Sequence, residues 1–225
     1  GSNLAIYLKK KKFNVFSLDN LSRKGSVLNL ERLKNFKIKN YKVDVVIEKN
    51  FKKLPKFDLI IDCCAEASVE FSRKNIDKVL ATNLLGTYNI LKKCNKDSSN
   101  LIFLSSSRVY SLESLKKLVN RDIIKNPPKI NKEIDIDFDT DGPKTFYGFS
   151  KLSSEHLIKE YSFSKKIKYI INRCSVIAGP WQFGKVDQGF VSLWVWRCLN
   201  KIPVRYFGYG GYGNQLRDIL SVNDL

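Results

Sequence analysis

Tyr147 and Lys151 stand four residues apart in Tyr147-Gly148-Phe149-Ser150-Lys151, at the head of an apolar-periodic stretch. On a helix, positions i and i+4 share one face, so a phenol and an ammonium can point into one cleft. The ordinary phenol pKa is about 10. A neighbouring ammonium favours the phenolate and is expected to lower that value. Such a side chain can take and return a proton near neutral pH. The spacing gains weight from Ser105-Ser106-Ser107, which closes an apolar segment upstream. His156 is the only histidine and follows Lys151 on the same stretch, which leaves no basis for a histidine triad or a histidine metal site.

The elements that must position these groups follow from periodicity. Residues 2–11 are expected to be helical, with Leu4, Ala5, Ile6 and Leu8 on the apolar side. Strands are expected at 13–18, ending at Asp19, and weakly at 37–43, followed by Asp44. A short helix is expected at 28–33. The almost unbroken apolar run within 58–65 suits a strand covered on both faces. Further expectations are a long helix at 76–94, a buried strand at 101–105, a helix at 147–161, a strand at 169–172, a helix at 189–199 and a strand at 204–207. Alternating strands and helices predict an α/β fold with a doubly wound parallel sheet. Such sheets bind ligands beyond the carboxyl ends of their strands. Asp19, Asp44, Ala65-Glu66 and Ser105-Ser106 all fall there. Residues 112–143 read as an irregular insertion, first Lys-rich and then acidic at Glu133, Asp135, Asp137, Asp139 and Asp141. That acidic stretch is expected to be a solvated loop rather than a metal site.

Composition narrows the function classes. The chain has 225 residues, 43% hydrophobic and 12% aromatic, enough for a true core. No apolar run approaches the roughly 18 residues of a membrane span. The five Cys show no metal-ligand spacing and read as small buried hydrophobes of a reducing, cytoplasmic compartment. The net charge of +18 raises the question of nucleic acid. The lysines are dispersed, with only Lys9 to Lys12 forming a run, and specific nucleic-acid binding is not expected. Met is absent even at position 1, and a helical pattern opens the chain with no strand before it, so the sequence is expected to begin inside a longer protein.

Several segments together carry a resemblance. They are Asp19-Asn20-Leu21-Ser22-Arg23-Lys24-Gly25-Ser26, Ser105-Ser106-Ser107-Arg108-Val109-Tyr110-Ser111, Tyr147 to Lys151, Asn172-Arg173-Cys174, Ala178-Gly179-Pro180-Trp181-Gln182-Phe183-Gly184-Lys185-Val186-Asp187-Gln188-Gly189, and Gln215-Leu216-Arg217-Asp218-Ile219-Leu220. In this order, over nearly the whole chain, they resemble the extended short-chain dehydrogenase/reductase group of NAD-dependent nucleotide-sugar epimerases and dehydratases. Within it the likeness is closest to the CDP-paratose 2-epimerase (CDP-tyvelose epimerase) branch. The resemblance implies a Rossmann-like NAD-binding domain over 1–175, lacking its first strand and most of its Gly-rich turn, with 112–143 inserted. It implies a partial substrate-binding region over 176–225, the beginning of a small second domain. Such a fragment is expected to be inactive alone, while the full-length protein is expected to be a homodimer.

The resemblance also implies roles. Gly1 would be the last glycine of the pyrophosphate turn, ahead of a helix N-terminus that favours anions. Asp19, with Asn20 beside it, would accept the adenosine ribose hydroxyls and repel a 2′-phosphate, favouring NAD over NADP. Asp44 would contact adenine. Ala65, Glu66, Asn83 and Cys174 would border the cofactor. Ser106, or its neighbours Ser105 and Ser107, would bind the reacting sugar hydroxyl. Tyr147 would be base and acid, and Lys151 would bind the nicotinamide ribose. Ser107, Gln182, Asp187 and Gln188 would sit near sugar or base, with Arg217 on the diphosphate.

The implied reaction is epimerisation of a nucleotide-linked sugar, at C2 of a CDP-linked sugar, through a transient ketosugar. A 4,6-dehydratase places an Asp-Glu pair after the catalytic Ser or Thr, where this chain has Ser107-Arg108. Epimerisation at C4 stays open as well. So does a non-enzymatic NAD-binding sensor, although such sensors often lose the Tyr or the Lys and this chain keeps both.

Overall fold

The computed structural model describes residues 1–118, 134–206, 209–213 and 215–225. Helix α1 (Ser2–Lys10) precedes β1 (Phe16–Asp19), and α2 (Ser26–Asn35) links it to β2 (Lys39–Lys42). After β3 (Leu59–Asp62) come α3 (Val69–Lys74), α4 (Ile76–Leu80), a π-helical turn at Ala81–Leu85 and α5 (Gly86–Asp97). Then follow β4 (Asn100–Ser106), a 3-10 turn at Ser107–Val109, α6 (Leu112–Leu118), α7 (Phe146–Lys165), β5 (Tyr169–Cys174), β6 (Val176–Ala178), α8 (Phe190–Leu199) and β7 (Ile219–Ser221).

All named strand pairs are parallel, as the alternating pattern predicts. They form three sheets: β1 with β2, then β3-β4-β5, then β6 with β7. One core serves the first two. Val43, Phe51, Ile90, Leu91, Leu101, Phe103, Ile158 and Ile167 form it, and Leu18 of β1, Tyr41 of β2 and Ile171 of β5 pack against it. A second cluster, Ile6, Leu33 and Ile38, sits where α1 and α2 meet. Helices thus cover both faces of a Rossmann-like layer. Fully buried Leu91, Phe103 and Ile158 each contribute about 1.5–3 kcal/mol from apolar burial.

Some expectations need correction. The helix expected at 76–94 runs on to Asp97 and carries a π-helical turn at Ala81–Leu85 between α4 and α5, with helical backbone at both joints and buried Asn83 in the turn. Farther along, Asn89 Nδ2 donates to Val45 O at 2.8 Å and Val46 O at 3.1 Å. Residues 204–206 of the expected strand 204–207 do not form one, and Phe207 lies outside the described residues. The insertion opens with helix α6 rather than irregular chain, while Glu133 lies outside the described residues. Its acidic part folds into local turns: Asp135 and Asp139 carboxylates accept from the amides of Asp137 and Asp141. Among the described residues, no cluster of His, Cys, Asp and Glu could hold a metal ion. No helix among them is long and apolar enough to cross a membrane.

Candidate functional site

Helix α7 starts where Thr145 Oγ1 accepts from Gly148 N at 3.1 Å, an N-cap that fixes the first turn. Tyr147 and Lys151 are both buried on that helix. Their heads diverge. Tyr147 faces Ser106, with the Arg108 charge nearby. Lys151 Nζ lies 3.9 Å from the centre of the Phe103 ring. This corrects the expectation that Lys151 lowers the phenol. Burial pushes the Tyr147 phenol up, and Ser106 and Arg108 are what pull against it. The Lys151 ammonium is pushed down by burial, with Asp62 opposing.

Successive strand residues face opposite ways, and the serines of β4 part accordingly. Ser105 Oγ donates to Glu155 on α7. Glu155 also takes a bidentate pair from Arg173 on β5, with Arg173 Nη2 at 2.8 Å. Ser106 Oγ accepts from Arg108 N at 3.2 Å and is the serine that meets Tyr147. Ser107 is half-buried in the 3-10 turn. Cys174 is the register partner of Ser106 across β4 and β5, and its thiol donates to Asn172 O at 3.5 Å.

Asp19, Asn20 and Asp44 meet where β1 and β2 end. Asn20 Nδ2 donates to Asp44 Oδ2 at 3.2 Å, and Asp19 Oδ1 accepts from Leu21 N at 2.6 Å. Asp19 remains exposed, while Asp44 is half-buried. Gly1 caps α1. Ala65 is exposed on the loop after β3. Glu66, next along, is clamped by Asn83. Asn83 Oδ1 accepts from Glu66 N at 2.8 Å, and Asn83 Nδ2 donates to Glu66 O at 3.2 Å and to Ser150 Oγ at 2.9 Å. Asn83 is therefore a buried clamp on the loop after β3.

Residues 180–188 form a strap across several of these loops. Asn3 Nδ2 donates to Pro180 O at 2.9 Å, and the Arg32 guanidinium stacks 4.9 Å from the Trp181 ring centre. Gln182 Nε2 donates to Ile177 O and Gln182 Oε1 accepts from Ser192 Oγ, both at 2.8 Å. Asp187 accepts from Ser68 Oγ at 2.5 Å, and Gln188 pairs with Lys185 through the backbone. Arg217 stands before β7 with its guanidinium turned onto Leu216 O and Gln215 Oε1.

Sequence reasoning gave no role to four neighbours of Tyr147 and Lys151: Asp62, Phe103, Arg108 and Glu155. Phe103 was legible as the residue two before Ser105 on a buried strand, hence on the Ser105 face. The other three gave no local signal.

Comparison with known proteins places this geometry. A family model described as "NAD dependent epimerase/dehydratase family" matches residues 1–225. The chain belongs to that NAD-dependent family. It is 31% identical over 234 residues to dTDP-D-glucose 4,6-dehydratase of Dictyostelium discoideum, covering 100% of this chain and 51% of the relative. It is 26% identical over 240 residues to CDP-paratose 2-epimerase of Salmonella typhi, covering 100% and 69%. Among solved structures, UDP-glucose 4-epimerase of Thermotoga maritima with UDP-glucose superposes with a TM-score of 0.80 at 25% identity, covering 100% of this chain and 66% of that one. UDP-glucose 4-epimerase of Thermus thermophilus, in complex with NAD, shares the fold with a TM-score of 0.81 at 23% identity, covering 100% and 68%. The chain thus spans between half and about two thirds of the length of these proteins.

Proposed function

We propose that this chain is the cofactor-binding and proton-transferring part of a nucleotide-sugar epimerase, acting at C2 of a CDP-linked sugar. The carrying observation is the surroundings of Tyr147. Among the described residues, the groups acting on it are Ser106, Arg108 and Cys174, none of them a carboxylate. Dehydration needs an acid to protonate the departing hydroxyl, and an arginine has no proton to give. That favours epimerisation over the 4,6-dehydratase reading, which identity to relatives does not separate.

The residues fit NAD. Lys151 Nζ is buried with an aromatic face and no hydrogen-bond acceptor among the described residues, which leaves its protons for a ligand diol. Lys151 would hold the nicotinamide ribose, Asp19 and Asn20 the adenosine ribose, Asp44 the adenine, and Gly1 with the α1 N-terminus the pyrophosphate. Ala65, Glu66, Asn83 and Cys174 would line the path between. When bound, NAD supplies a reversible hydride acceptor. Tyr147 Oη takes the proton of the sugar hydroxyl on oxidation and returns it on reduction. Ser106 Oγ, already accepting from Arg108 N, keeps its own proton to donate toward the reacting oxygen. Gln182, Asp187 and Gln188 on the strap, Ser107, and Arg217 are the proposed contacts to sugar and diphosphate. The full-length protein is proposed to be a homodimer, with Tyr88 of α5 and Phe149 and Phe163 of α7 exposed for pairing.

The test is product analysis by NMR with full-length protein, offering CDP-paratose or CDP-tyvelose beside UDP-glucose and dTDP-glucose. Interconversion of the two CDP sugars with no added reductant is expected, and Tyr147→Phe should retain about 1% or less of it. A 4-keto-6-deoxy product would overturn epimerisation. A C4 epimer of a UDP sugar would overturn the C2 assignment alone.

A further inference from the structure

Asp62 ends β3 and is 2% exposed, and Lys151 is 1% exposed. Asp62 is the register partner of Phe103 on β4. Neighbours in register on parallel strands project from the same face, so the carboxylate stands beside the ring that seats the Lys151 ammonium. We propose that Asp62 is a positioning residue for Lys151, its buried carboxylate holding the ammonium on the Phe103 ring, ready to donate to the cofactor ribose. This rests on the function proposed above, and it assigns a role to a residue outside the motifs of the sequence.

A buried charge without a counter-charge is costly. Among the described residues, no carboxylate forms an ion pair within 4 Å of Lys151 Nζ, so Asp62 acts on the ammonium through space. Its own hydrogen bonding is incomplete. Oδ1 accepts from Cys64 N at 2.9 Å. Oδ2 lies 3.5 Å from Thr87 Oγ1, whose proton is aimed at Asn83 O at 2.7 Å. The other titratable groups facing Lys151 are the thiols of Cys63, Cys64 and Cys174. Burial raises all three thiols and keeps them neutral. Besides Lys151, the Asp62 carboxyl faces the Cys64 amide and thiol, the Thr87 hydroxyl and the thiols of Cys63 and Cys94. Burial pushes the Asp62 carboxyl up, while the Lys151 ammonium and the Cys64 amide pull it back, so Asp62 is the anion this cluster can supply. Tyr147 feels Ser106, Arg108 and Cys174 instead, so Asp62 acts on cofactor binding and not directly on the phenol.

The experiment is NAD affinity against pH for full-length protein, measured by calorimetry. Burial lowers Lys151 and Asp62 opposes it, so removing the carboxylate lets the ammonium lose its proton at lower pH. Asp62→Asn should weaken NAD binding at a pH about one unit lower than in wild type, with Asp62→Glu restoring most of the range. Where the two profiles diverge, this is about a tenfold loss of affinity. Superposed Asn and wild-type profiles overturn the proposal. Lys151→Met separates the two readings: unchanged NAD affinity in that variant removes the proposed role of Lys151 itself. If Asp62→Asn fails to fold, the double variant Asp62→Asn/Lys151→Met should regain folding, because the orphaned ammonium is gone. No recovery overturns the proposal as well.

Discussion

Gly148 lies hard against the backbone of Arg108: a Cβ at Gly148 would fall 2.1 Å from the Arg108 carbonyl oxygen. Backbone contact between α7 and the 3-10 turn is what brings Tyr147 within reach of Ser106. Gly148→Ala should force these apart. Overpacking of this kind costs about 1–3 kcal/mol. Displacing the base from the reacting oxygen by about 1 Å costs on the order of 100-fold in rate. Turnover of full-length protein should therefore collapse while NAD affinity stays within about threefold of wild type. Wild-type turnover in this variant would show that the close approach does not position the base.

Ser105 and Ser106 offer a sharper contrast. Ser106→Ala removes the proposed donor to the reacting oxygen and should lower kcat by about 100-fold. Ser105→Ala removes one of several hydrogen bonds on Glu155, which keeps its bidentate Arg173. Its cost should be about 1 kcal/mol of stability, with kcat within about twofold. Steady-state kinetics beside thermal melts separate the two, and a reversed pattern would move the catalytic role to Ser105.

Arg108 sets a pH dependence. Its cation favours the Tyr147 phenolate, opposing the burial that raises the phenol. Arg108→Gln removes that pull, so the folded-state value for Tyr147 rises further. The acidic limb of kcat/KM reports the base losing its proton, and it should move to higher pH. Each unit of movement means about tenfold less activity at a fixed pH on that limb. A limb that stays in place would remove Arg108 from the tuning of Tyr147.

The contrast between Lys151 and Arg108 shows where the sequence was readable. The strands around β4 announced themselves by unbroken apolar runs, and the Tyr-Lys spacing on α7 announced a shared face. The rotamers did not follow from spacing: Lys151 turns to Phe103, and a residue three places past Ser105 supplies the cation near Tyr147. Asp62 was hidden because an acid ending a strand ordinarily reads as solvated, and its burial depends on α5 and α7 packing over it. The π turn at Ala81–Leu85 was hidden for a related reason. Its wide turn frees Asn83 O to accept from Thr87 Oγ1 and Ser154 Oγ, which are long-range and helix-local partners at once. The strand expected around Val204 failed because β-propensity without a pairing partner does not hold a strand.

Stability outside the site should hinge on one buried ion pair. Lys93 Nζ lies 2.6 Å from Asp97 Oδ2 on α5 and also donates to Pro55 O at 2.7 Å, with the two side chains 3% and 4% exposed. Phe57 N donates to Asp97 Oδ2 at 3.1 Å, so the pair anchors the loop before β3 to the helix. Lys93→Met would leave the Asp97 carboxylate buried with a single amide, and breaking a buried pair in this way costs about 3–5 kcal/mol. For a domain of this size that is a fall in Tm of roughly 6–20 °C. Replacing both partners by Met and Leu removes the orphaned charge, so the double variant should melt above Lys93→Met. Circular dichroism melts decide it. A Lys93→Met variant that melts with wild type would mean that Asp97 reaches water once its partner is gone, and that the loop does not depend on the pair.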